Sequence, residues 1–216
     1  MGIPVLVLGE SGSGKSTSLR NFDKEEVGIF NVAGKPLPFR KKLNKVDNAT
    51  YGTILKVLQK PGLKKYVIDD SQYLMAFESF DHAKETGYGK FTNMALNFKN
   101  LIGFVIKGTP EDVIVYFLHH TEVGENGKLK AKTLGKMLDN QLTVEGLFSI
   151  VLLCSVEGSE HFFITNSDGS NPAKSPMEMF EMKIQNDLKA VDDAIREYWE
   201  IGGSNNKNDN KGEEKA

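Results

Sequence analysis

The chain has 216 residues, 39% of them hydrophobic and 26% charged, with a formal net charge of −2. That length and balance fit one globular domain with a real core, and they exclude a chain held to nucleic acid by bulk charge alone. A single cysteine, Cys154, excludes an internal disulfide framework and a cysteine-built zinc cage, and reads as a buried thiol in a reducing compartment.

The apolar start, Ile3 to Leu8, is too short for a secretory leader or a membrane span, so a cytoplasmic protein with no membrane partner is expected. Val5 to Leu8 predicts a buried parallel strand closed by Gly9, and Ser16 to Asn21 opens a helix. Val27 to Val32 reads as a second strand, followed by a basic, proline-broken loop from Lys35 to Lys45. Asn48 is placed to cap a helix over Thr50 to Gln59, which Pro61-Gly62 ends. Tyr66 to Ile68 is a third strand running into Asp69-Asp70. A helix from Ser71 to Phe80 and a polar loop from His82 to Lys90 come next.

Leu96, Leu101 and Val105 share one side of a helix from Thr92 to Lys107. Val113 to Leu118 is a fourth buried strand ending at His119-His120, and Glu122 to Lys136 is again polar loop. Phe148 to Cys154 and His161 to Thr165 form a hairpin across Glu157 to Glu160, and Asp187 to Trp199 is an amphipathic helix. Strands alternating with helices predict a doubly wound, mostly parallel α/β sheet over residues 1–202, with a C-terminal β-hairpin plus helix. Residues 203–216, rich in Asn, Lys, Glu and Gly, are expected to form a disordered tail.

Gly9-Glu10-Ser11-Gly12-Ser13-Gly14-Lys15-Ser16 matches Gly-x4-Gly-Lys-Ser between a strand and a helix, the context in which that pattern cradles nucleotide phosphates. Its glycines permit positive φ and close backbone approach, so successive N–H groups can point at phosphate oxygens. Lys15 is expected to contact the β- and γ-phosphates of ATP, and the Ser16 hydroxyl to ligate Mg2+, while Thr17 prolongs the helix start. A magnesium-nucleotide site also needs a carboxylate at a neighbouring strand end. Either Asp69 serves the metal with Asp70 polarising the attacking water, or Asp70 serves the metal with Ser71 beside it; the spacing leaves both registers open. His120 falls at the strand edge that faces the ligand crevice of such a sheet, within reach of a γ-phosphate. Asn44-Lys45-Val46-Asp47 matches a guanine-reading pattern but precedes the acidic strand, so adenine is the expected base.

Arginine is scarce, with only Arg20, Arg40 and Arg196, too few for the arginine-rich lid of a nucleotide kinase. The phosphate loop, Val67-Ile68-Asp69-Asp70-Ser71 and Tyr116-Phe117-Leu118-His119-His120 together resemble the RecA-type ATPase core. Phe163-Ile164-Thr165-Asn166 and Ala173-Lys174-Ser175-Pro176 are similar to small phage-encoded RecA-like ATPases of recombination and single-strand annealing. The resemblance spans about residues 3 to 180 and implies an ATPase that binds single-stranded DNA and forms a homo-oligomer, ring or filament. A single-strand-binding or other replication protein is a further partner it implies. On the same ground His120 stands where RecA senses the γ-phosphate, and Lys174 reaches the next protomer's ATP. The two DNA loops then correspond to about 82–90, with Tyr88, Lys90 and Phe91, and 122–136, with Lys128, Lys130, Lys132 and Lys136. The alternative is an AAA+-like switch acting on a protein partner in replication, of the helicase-loader type. Asp69-Asp70-Ser71-Gln72-Tyr73-Leu74 resembles the acidic motif of DnaA-like initiators, and Arg196 is the candidate lid arginine. A strand after His120 that stays in the same sheet favours the RecA-type reading; Arg196 presented to nucleotide favours the alternative.

Overall fold

The computed structural model describes residues 1–87, 89–134 and 142–202; Tyr88, residues 135–141 (with Lys136) and the expected tail 203–216 lie outside the described residues. Among the described residues, strands β1 (Ile3–Gly9), β2 (Gly28–Asn31) and β3 (Asn44–Asp47) precede helix α1 (Tyr51–Leu58). Strand β4 (Lys65–Asp69), helices α2 (Tyr73–Asp81) and α3 (Gly89–Gly108), and strands β5 (Ile114–Val123) and β6 (Leu129–Ala131) follow. Strands β7 (Ile150–Glu157), β8 (Glu160–Ile164) and β9 (Lys183–Gln185) lead into helix α4 (Leu188–Tyr198).

These strands form one mixed, mostly parallel sheet in the order β3-β2-β4-β5-β1-β7-β8-β9, with β6 paired to the far end of β5. From β3 to β7 every pairing is parallel; β8 and β9 add antiparallel neighbours at one edge. The α/β class is therefore as the alternation of elements implies. The central strands are apolar on both faces because both faces are covered. Leu6, Leu8, Phe30, Ile68 and Phe117 pack with Ile54, Leu58, Met75 and Phe98 of the α1–α3 layer. Val5, Val7, Ile29, Val67 and Tyr116 pack with Leu19 and Phe22 and with Leu188, Val191 and Ile195 of α4. The period-two alternation along each strand sends successive side chains to opposite layers, and each fully buried Leu or Ile contributes about 1.5–3 kcal/mol.

Several local expectations change. Ser16–Asn21 is a short 3-10 helix rather than an α-helix opening. Ser16, Thr17 and Ser18 are weak α-formers, and the Ser18 hydroxyl donates to the Lys15 carbonyl at 2.6 Å, which favours the tighter turn. The cap of α1 is Thr50, whose hydroxyl accepts from the Thr53 N–H, not Asn48. The guanine-like tetrapeptide is edge strand β3, separated from β1 by three strands. Leu96 is exposed, because the buried stripe of α3 runs through Met94, Ala95, Phe98, Leu101, Ile102 and Val105. Lys90 and Phe91 lie in the first turn of α3 rather than in a loop. Strand β5 continues through His119 and His120 to Val123 and turns back as β6, so 122–131 is a hairpin arm rather than open loop.

Helix α4 is fastened to the base of the sheet by buried Asp192, which accepts from the Tyr116 hydroxyl and from Arg196 Nε, both at 2.7 Å. Lys65 Nζ lies 3.0 Å from the same carboxylate. Arg196 also donates to the carbonyls of Asp112 and Lys64, just ahead of β5 and β4. It is thus committed to the N-terminal edge of the strands.

Candidate functional site

The C-terminal edge of a parallel sheet collects strand-to-helix loops, and ligands of such sheets bind there. Here the loop after β1, the loop after β2 and the ends of β4 and β5 meet in one cleft. Its lining includes Gly12, Lys15, Ser16, Lys35, Asp69, Asp70 and His120.

The loop from Gly9 to Thr17 is held from beneath. Cys154 Sγ donates to the Ser13 carbonyl at 2.9 Å, and His161 Nδ1 donates to the same carbonyl at 2.7 Å. A carbonyl only accepts, so this bond places a proton on Nδ1. Asn186 in turn donates to the Cys154 sulfur at 3.1 Å. Burial pushes the Cys154 thiol up to about 11, so it acts as a neutral brace. Gly12 and Gly14 have φ of +83° and +101°, which glycine adopts without strain, and between them the Ser13 N–H donates to the Glu10 carbonyl at 3.2 Å. A Cβ on Gly14 would also lie 2.8 Å from the His161 ring.

Lys15 is nearly buried. Its ammonium donates to the carbonyls of Gly9 and Glu10, both at 2.9 Å, leaving one of its three N–H groups unused by these bonds. Burial lowers its pKa, against the raising influence of Asp70, Cys154 and Asp69.

The two aspartates divide. The Ser16 hydroxyl donates to Asp69 Oδ1 at 2.8 Å. Burial, then the charge of Asp70, hold the Asp69 carboxyl above its ordinary value despite Ser16 and the lysines. Asp70 has φ of +58°, a left-handed conformation that aspartate tolerates better than most residues. Its Oδ1 lies 3.2 Å from His120 Nε2 and its Oδ2 lies 2.6 Å from Lys35 Nζ. Burial works to raise this carboxyl, and the bonds from His120 and Lys35 overcome it, bringing it down to about 2.

The histidine pair also divides. His119 is fully buried, and burial pushes it down to about 4, so it is neutral at ordinary pH. Its Nε2 donates to the Lys132 carbonyl at 2.7 Å, and its Nδ1 then accepts from the Ser71 hydroxyl at 2.8 Å. The His120 carbonyl accepts from the Lys132 N–H at 2.8 Å, and the His120 N–H donates to the Gln72 side chain at 3.3 Å. His119 is therefore a packing residue that ties β4's exit to the hairpin, while His120 belongs to the cleft.

Other expected residues lie elsewhere. Lys130 lies in β6, with Lys128 and Lys132 immediately before and after that strand; Lys130 pairs with Glu122 at 3.2 Å. Lys90 Nζ lies 5.3 Å over the Phe91 ring and donates to the His82 carbonyl, and neither residue lines the cleft. Lys174 bridges Val151 through its backbone, alongside the lower part of β7, and does not line the cleft of its own chain. Tyr88 and Lys136 lie outside the described residues. Lys35, Cys154 and His161 belong to no sequence motif; the one signal for Lys35 is its place in a basic loop directly after the second strand.

Magnesium in nucleotide sites takes one or two protein oxygens and completes its shell with water and phosphate. The Ser16 hydroxyl and Asp69 carboxylate fit that demand: they are hard oxygen donors in contact at the C-terminal edge of the sheet. Among the described residues no cluster of three or more His, Cys, Asp or Glu could cage a metal by itself, and no helix is long and apolar enough to cross a membrane. No known family model matches the chain, and no curated protein matches it.

Proposed function

We propose that the chain is a RecA-like P-loop ATPase that binds Mg·ATP at the loop after β1 and couples that site to single-stranded DNA. The observation that carries the reading is the Ser16–Asp69 hydrogen bond, which joins the phosphate loop to the acidic strand end at the atoms a magnesium-nucleotide complex would use. Phosphates would lie against backbone N–H groups of the loop, with Lys15 turning its remaining N–H to them. The six-residue 3-10 turn adds little dipole, so backbone donors and Lys15 carry most of the binding. Ser16 and Asp69 would hold magnesium, which when bound neutralises charge on the phosphates.

Asp70 is the acceptor for the attacking water's proton. Both of its oxygens are engaged by His120 and Lys35, so it must release one of them to receive it. Water attacks the γ-phosphorus, the bond to the β–γ bridging oxygen breaks, ADP and phosphate leave, and the proton passes from Asp70 to solvent. His120 positions Asp70, and through its carbonyl bond to Lys132 it links the cleft to the lysine-bearing hairpin.

Two arrangements favour the RecA-like reading over an AAA+-like switch. Strand β7 follows His120 in the same sheet, beside β1. Arg196 is committed to the opposite edge from the cleft. A ring or filament, a role for Lys174 at a neighbouring protomer's site and a replication partner are what the resemblance implies. The DNA role is tested by anisotropy of a labelled single-stranded oligonucleotide at two salt concentrations, with Mg·ATP, with a non-hydrolysable analogue and without nucleotide. Binding should need nucleotide and weaken with salt, and Lys128→Ala, Lys130→Ala and Lys132→Ala together should flatten the salt slope. An unaltered slope removes the hairpin from the account, and no binding in any state removes DNA.

A further inference from the structure

We infer that Lys35 is a catalytic residue of the same site, a cation supplied in cis that leaves Asp70 for the terminal phosphate of bound ATP. This rests on the nucleotide reading of the cleft. The backbone of Lys35 is anchored: Asn31 Nδ2 donates to its carbonyl at 2.7 Å and to Asp47 at 2.5 Å, and Gly34, at φ of +67°, makes the turn between them. The side chain is not anchored in the same way. It is 59% exposed, its ammonium lies 5.4 Å from the centre of the Tyr73 ring, and its charge partner is Asp70 at 2.6 Å. A long, solvated stem on a fixed root can redirect its charge by rotation about side-chain bonds alone.

The cleft's charge argues for that redirection. Asp69, Asp70 and a nucleotide's terminal phosphate would crowd anions around the reacting atoms, and Lys15 and Lys35 are the cations lining the cleft among the described residues. The arginines give no relief. Arg20 donates to the carbonyls of Thr17 and Asn186, Arg196 is bound at the opposite edge, and neither these nor Arg40 lines the cleft. When Lys35 moves to the phosphate it stabilises the negative charge spread over the transferring group, and it frees Asp70 Oδ2 to face the water.

ADP lacks the phosphate that Lys35 would contact, so the test is discrimination between two nucleotides. Fluorescent ATP and ADP analogues are titrated with magnesium against the wild type, Lys35→Ala, Asp70→Asn, the double variant and Lys15→Ala, with circular dichroism to verify folding. Lys35→Ala should bind the ADP analogue within about twofold of wild type, bind the ATP analogue about tenfold or more weakly, and lose about 100-fold in turnover. The double variant separates direct contact from mere neutralisation of Asp70. Contact predicts that adding Lys35→Ala to Asp70→Asn still weakens ATP binding, whereas neutralisation predicts no further loss. Equal ATP-to-ADP preference in wild type and Lys35→Ala, with Lys15→Ala losing both ligands, overturns the role of Lys35 and leaves the site. Failure of the wild type to bind either nucleotide overturns the reading beneath it.

Discussion

The Ser16 hydroxyl and the Asp69 carboxylate meet at 2.8 Å although 53 residues separate them. Parallel strands β1, β5 and β4 lie side by side, so the loop leaving the first and the acidic end of the third open on the same edge. The contact is made where the Asp69 carboxyl is held above its usual value, mainly by burial. On the proposed reading, a magnesium ion at these two oxygens would offset that burial.

Asp70→Asn tests the division of labour between the aspartates. Asparagine tolerates the same left-handed backbone, so the fold should survive, and the amide cannot take up a proton. ATP affinity should stay within a few fold while phosphate release falls by about 100-fold or more. Phosphate-release kinetics beside a binding titration check this, and an unchanged rate would return the base role to another group.

His119 predicts a pH dependence of stability. Its folded value, lowered mainly by burial to about 4, lies below the ordinary 6.5, so the unfolded chain takes up the proton first as pH falls. The contribution is intact above about pH 6.5 and is lost progressively toward about pH 4. It is worth on the order of 3 kcal/mol. Urea denaturation across that range should show the loss, and His119→Gln should flatten it. An equal slope in the variant would assign the acid sensitivity to other groups.

Gly14 and Gly12 differ in what an added methyl meets. Gly12→Ala faces only the cost of positive φ, since nothing lies within 4 Å of its Cβ, whereas Gly14→Ala also strikes the His161 ring. Gly14→Ala should therefore be the more destabilising by about 1 kcal/mol or more and should lose nucleotide binding first. Thermal melts of the two variants read the order directly.

Much of the central sheet was legible because its strands are short apolar runs covered on both faces, as Val5 to Leu8 and Tyr66 to Ile68 are. The loop and the acidic strand end could be read for the same reason, since each directly follows such a run. The edges were harder. Strand β3 carries exposed, charged residues, and β9 is three residues long, so neither has a periodic signature. The hairpin of β5 and β6 read as loop because its side chains are polar beyond the core. The different partners of Asp69 and Asp70, Ser16 for one and His120 with Lys35 for the other, come from chain segments far apart in sequence, which no local pattern announces. The bracing of Ser13 by Cys154 and His161 depends on β7 lying beside β1, a long-range fact of topology.

The central claim is nucleotide binding at the loop, and the most direct test is calorimetric titration of Mg·ATP into the wild-type protein and Lys15→Ala. The account predicts saturable, magnesium-dependent binding by the wild type and an affinity at least about 100-fold weaker in the variant, with circular dichroism verifying its fold because the Gly9 and Glu10 carbonyls lose their donor. Equal affinity in the two proteins, or no binding by the wild type, would contradict it.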